Sequence, residues 1–129
     1  MEVWQRAVDL VIEVYRLSES FPAKEKYGIT SQIQRAAVSI PANIAEGYGR
    51  RRRGEYVQFL SIAQGSLAEL ETHLTIVVRL GFVDRAAAVP VWELAQSVGQ
   101  MLNKLVASLE RPTKPETRNP EPETRNPKP

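Results

Sequence analysis

A chain of 129 residues has the length of one domain. Its 17 basic and 15 acidic residues leave a net charge of +2, which is not the bulk charge of a protein that coats nucleic acid, so any such role has to come from a local cluster. There is no cysteine, which excludes a disulfide framework, a thiol nucleophile and a thiolate zinc site. The opening MEVWQRAVDL carries charges at positions 2, 6 and 9 and is no signal peptide. No apolar run approaches the ~20 residues of a membrane span. A soluble, cytoplasmic protein without a membrane partner is expected.

Four segments of helical period follow, and none that reads as a strand. In the first, residues 3–18, Trp4, Val8, Val11 and Tyr15 form one stripe, which Ala7, Leu10, Val14 and Leu17 widen. Pro22 breaks the chain after it. In the second, residues 27–49, Ile29, Ile33, Ala36, Ala37, Ile40, Ile44 and Tyr48 recur at spacings of three and four. This stripe keeps its phase through Pro41, so the spacing predicts one helix bent at the proline rather than two helices. Ser39 and Asn43 stand where they can satisfy freed backbone groups, and Gly47 and Gly49 are expected to supply left-handed C-cap positions. In the third, residues 55–80, Tyr56, Leu60, Ala63, Leu67, Leu70, Leu74 and Val77 make a seam for shallow helix packing, with Gly81 as the C-cap glycine. Ala63, Gly65 and Ser66 are small enough to let a neighbour approach closely. In the fourth, residues 86–109, Asp84 is the N-cap, and Val91, Leu94, Val98, Leu102, Leu105 and Leu109 form the stripe. Four such helices joined by short loops predict an all-α fold, an antiparallel up-down-up-down four-helix bundle over residues 1–111.

From Pro112 the composition changes. PETRNPE is followed by PETRNPK, a seven-residue repeat rich in proline and without a large apolar residue. Residues 112–129 are expected to be a disordered tail.

Bundles host metal chemistry, but a di-iron site needs paired Glu-x-x-His motifs. Here His73 is the single histidine and Glu69 lies four residues before it, so no metal ligand set is expected. Neither a catalytic triad nor a phosphate loop is present, since the glycines of GYG follow a helix instead of preceding one. No enzyme activity and no cofactor are expected. Two features remain. Ser31, Arg35, Ser39, Asn43, Glu46 and Arg50 share one face of the second helix, and the third helix adds Glu69 and Glu71. The stripe reads either as a binding groove or interface, or as an ion-pair network on a solvent face. Arg50, Arg51, Arg52 and Arg53 form a block that suits phosphate oxygens, with Tyr48 and Tyr56 flanking it. That block reads either as a nucleic-acid contact or as a solvated basic corner.

The strings VWQRAVDLV, YGITSQIQRAAVSIPANIAEGYGR, EYVQFLSIAQGSLAELETHL and MLNKLVASL resemble the four-helix-bundle proteins encoded by intervening sequences in bacterial 23S ribosomal RNA genes. The likeness runs over about residues 3–109. Relative to that pattern the chain begins almost directly at VWQRA, has a denser arginine run and adds the repeated tail. The resemblance implies a homo-oligomer, a pentameric ring of small bundles. It also implies similarity to the accessory protein of diversity-generating retroelements, which associates with a reverse transcriptase and nucleic acid. It implies no enzymatic activity. The expected partners are therefore further copies of the chain, and RNA or a nucleic-acid-processing protein. The alternative is a regulatory protein-interaction module without nucleic-acid affinity.

Overall fold

The computed structural model describes residues 1–111, and the expectation of a disordered tail over 112–129 lies outside the described residues. Four helices are present: α1 (Glu2–Ser18), α2 (Ile29–Tyr48), α3 (Arg53–Arg79) and α4 (Arg85–Glu110). A single 3-10 turn, Ala23–Glu25, follows Pro22 in the first connection. Among the described residues there is no strand. α1 packs on α2 and α4, and α3 packs on α2 and α4, which closes a square of neighbours. Contacts climb one helix as they descend the next: Ser39 meets Ser66 while Gly47 meets Phe59, and Gln64 meets Asn103 while Glu71 meets Gln96. The bundle is therefore antiparallel and up-down-up-down.

The core is aliphatic. Leu10, Val14, Ile33, Ile40, Ile44, Leu60, Leu70, Leu74, Val77, Val98 and Leu102 are fully buried. The seams of α3 and α4 lie where their apolar phase puts them. α1 differs. Its buried residues are Val3, Ala7, Leu10, Val14 and Ser18, while Trp4 and Tyr15 stay 40% and 44% exposed. Two adjacent apolar stripes share this helix, and the periodicity is satisfied by either. Packing selects the stripe with the smaller residues, and the aromatic one turns outward.

One helix end corrects the sequence expectation and another bears it out. α2 stays helical through buried Pro41, as its phase demanded, but it does not end in a left-handed glycine. Gly49 has φ −79° and ψ −3°, and Gly47 lies inside the helix. What Gly47 provides is proximity. A Cβ there would stand 2.9 Å from the Phe59 Cβ and 3.1 Å from the Tyr56 carbonyl oxygen, so only glycine admits α3 at this distance. The left-handed position is Gly81, φ 76°, after α3. Its N–H donates to the Val78 carbonyl at 3.0 Å, and the Phe82 N–H donates to the Val77 carbonyl at 3.0 Å. These are the two bonds of a Schellman stop. Asn43 directs its amide to the Ser39 carbonyl (2.8 Å) and the Ser39 hydroxyl (3.0 Å) rather than to the Ala37 carbonyl that Pro41 frees.

Candidate nucleic-acid interface and the polar stripe

α3 starts at Arg53 rather than at residue 55, so the arginine run is divided between the link from α2 and the helix itself. The four arginines therefore stand in different settings. Arg50 is held: its Nη2 lies 2.6 Å from Glu46 Oε2, and its guanidinium sits 4.8 Å from the centre of the Phe59 ring. Arg51 and Arg52 lie in the link, with Arg52 at the N-cap of α3, and Arg53 is its first helical residue. All three are exposed and make no ion pair among the described residues. The start of α3 has no side-chain cap. Its first N–H groups face the same corner as these cations, at the end of the helix where the backbone dipole already favours an anion.

The aromatic flank is assembled as well. Tyr48, 66% exposed, meets Tyr56 edge-on with ring centres 6.1 Å apart. The Tyr56 hydroxyl has its pKa raised, first by burial and then by the neighbouring Tyr48. It lies 4.0 Å from the Met1 sulfur, which brings the chain start to this end of the bundle.

The polar stripe divides into separate contacts. Ser39 bonds Ser66 across the α2–α3 seam at 2.8 Å, Asn43 reinforces Ser39, and Glu46 holds Arg50. Arg35 and Glu69 line an open cleft of about 450 Å³ with Gln32, Ala36 and Ser39. Glu71 does not join them. It faces α4, where it accepts a 2.7 Å hydrogen bond from Gln96. Two residues along a helix turn about 200°, so Glu69 and Glu71 have no common neighbour. Their spacing in the sequence already carries that signal, which grouping the two acids together overlooks. Partial burial raises the Glu71 pKa, and the Gln96 bond opposes this only in part. His73 is buried on α3, its Nε2 3.9 Å from Glu69 Oε2, and neither ring nitrogen has a hydrogen-bond partner among the described residues.

A family model described as 23S rRNA-intervening sequence protein matches residues 1–104. The chain belongs to that family. The matched span holds the arginine corner, the stripe and most of α4. No curated protein matches the chain. Among solved structures it resembles a protein with unknown function from the S23 ribosomal protein family of Bacteroides thetaiotaomicron VPI-5482, determined at 1.70 Å resolution. The two share 21% identity over 81% of this chain and 97% of the other, with a TM-score of 0.75. At that identity the likeness speaks to the fold. No helix among the described residues is long and apolar enough to cross a membrane.

Proposed function

We propose that this protein is a cytoplasmic, non-enzymatic, homo-oligomeric scaffold that binds RNA, bare or within a protein–RNA complex, through the corner formed by Arg51, Arg52 and Arg53. One observation carries the reading: three consecutive exposed arginines, without an ion-pair partner among the described residues, stand at the uncapped start of α3, whose Tyr56 packs against the exposed Tyr48 ring. Guanidinium forks bind phosphate bidentately, and an aromatic face accepts a base. Arg50 is excluded from the binding set because Glu46 and Phe59 already hold it. The scaffold element rests on the outward stripe of α1. Trp4 and Tyr15, with half-buried Val8 between them, leave apolar surface that a second copy can cover, and the family resemblance makes a ring of five the size to test. The same stripe supports the second reading, a protein-interaction module that does not bind nucleic acid.

A mobility shift with a structured RNA at increasing salt decides between them. The parent binds, and the Arg51→Gln/Arg52→Gln/Arg53→Gln variant binds far more weakly at unchanged helical content, because exposed charges add little to stability. The slope of log affinity against log salt falls by about 0.7–0.9 for each phosphate that the variant no longer neutralises. Arg50→Gln leaves that slope in place. A parent that binds neither RNA nor DNA at low salt hands the lead to the interaction-module reading, and a monomer at micromolar concentration in light scattering removes the scaffold.

A further inference from the structure

At the opposite end of α3 a second cleft opens toward α4. It measures about 300 Å³ and is lined by Leu74, Thr75, Val78 and Arg79 from α3 and by Arg85, Ala88, Val89 and Trp92 from α4. Leu74 and Ala88 are buried and form the floor, while Val89 and Trp92 stand about 40% exposed on one wall. Arg79 comes from the last turn of α3 and Arg85 is the first residue of α4, so the short connection around Gly81 places two guanidiniums on the lining of one apolar hollow. Neither makes an ion pair among the described residues, and no acidic side chain lines the cleft. Thr75 has its hydroxyl hydrogen committed to the Glu71 carbonyl at 2.9 Å.

We propose that this cleft binds a small amphipathic anion, an aliphatic or aromatic body ending in a single carboxylate. The apolar body covers Val89 and Trp92, which the monomer leaves in water. The carboxylate meets Arg79 and Arg85, which both line the cleft and whose guanidinium forks suit bidentate pairing with a carboxylate. The volume is at the low end for small-molecule sites, which selects a short chain or one ring system. The lining has no carboxylate or amide to recognise a sugar or a base. The site is independent of the RNA corner: residues 53 and 79 lie about 40 Å apart along α3.

The chain has two tryptophans, Trp92 in the cleft and Trp4 on α1, so their indole N–H resonances report the site and its control together. Octanoate is titrated into the ¹⁵N-labelled protein below its micellar concentration, with octan-1-ol as the uncharged match. The Trp92 resonance shifts and saturates, Trp4 stays in place, and octan-1-ol needs at least about tenfold more ligand, as loss of a charge-assisted bond requires. The exposed double variant Arg79→Gln/Arg85→Gln keeps the parent Trp4 position and loses the preference for octanoate. Val89→Glu, which sets a carboxylate against both guanidiniums from an exposed position, blocks octanoate by itself. Movement of both resonances without saturation, equal response to the alcohol, or undiminished octanoate binding by either variant overturns the proposal.

Discussion

Toward α2, helix α3 presents Ser66 and the turn that holds Tyr56 and Phe59. Toward α4 it presents Gln64, Leu67 and Glu71. On the first side the approach is limited by backbone and Cβ atoms: Ser39 and Ser66 touch through their hydroxyls, and Gly47 meets the Phe59 Cβ and the Tyr56 carbonyl directly. On the second side long polar side chains span the gap, Gln64 to Asn103 at 2.9 Å and Glu71 to Gln96 at 2.7 Å, and a cleft remains where no such pair stands. Small residues let two helices come close where they meet, and the cleft left on that side, along Gln32, Arg35 and Glu69, is lined mostly by polar residues. Long ones hold a looser seam, and the bundle's apolar hollow lies there.

The largest expected effect sits at Gly47. Alanine is roughly 1 kcal/mol more favourable than glycine inside a helix, but its methyl would meet Phe59 Cβ at 2.9 Å, and neither that atom nor the Tyr56 carbonyl can swing away. We expect Gly47→Ala to destabilise the fold by about 1–3 kcal/mol in denaturant unfolding, since α2 and α3 must separate along the seam. Gly99 in the other seam gives the contrast. A Cβ there meets only the Leu67 Cδ2 at 3.1 Å, the end of a flexible side chain. Gly65 has nothing within 4 Å and is the baseline, so Gly65→Ala should stabilise by about 0.5–1 kcal/mol. Equal effects at Gly47 and Gly65 would break the comparison, because no close seam would then exist.

Next comes the hydroxyl pair. Ser39→Ala removes the partner of Ser66, which is only 8% exposed, and should cost about 1–2 kcal/mol. Removing both hydroxyls leaves no orphan, and alanine suits a seam of small residues. The double variant should therefore be less destabilised than the two single effects combined, and a thermodynamic cycle measures the difference. Strict additivity would mean that the 2.8 Å hydrogen bond contributes nothing specific.

Much of this was open to reading from the chain. A helix that buries one stripe shows its phase, so the α3 and α4 seams and the passage through Pro41 were legible, and so was Gly81, because a helix stop needs a left-handed residue there. The choice between two apolar stripes on α1 was not legible, since it depends on what α2 and α4 present. Nor was the role of Gly47, since a close approach between two packed helices leaves the same mark in the sequence as a C-cap glycine. Within the arginine block, the Glu46–Arg50 pair follows from the i, i+4 spacing. The Phe59 ring that completes the hold on Arg50 comes from the next helix and is visible only in the fold.

The smallest effect tests the looser seam by pH. Burial raises the Glu71 pKa above its ordinary value of about 4.3, so the folded state holds the Glu71 proton more tightly than the unfolded chain does. Its contribution to stability is complete below the unfolded pKa and is lost as pH rises through the folded one, since in that window the native state binds more protons. At neutral pH the ionised carboxylate is a mild burden that the Gln96 bond only partly offsets. Glu71→Gln keeps an acceptor oxygen for Gln96 and cannot ionise. Urea midpoints should show the variant at least as stable as the parent at pH 7, with the gap closing as pH falls below about 4. A variant that is less stable at pH 7 and equal in acid would reverse the sign and make Glu71 a charge that the α3–α4 seam needs, which only a tighter and more polar junction would require.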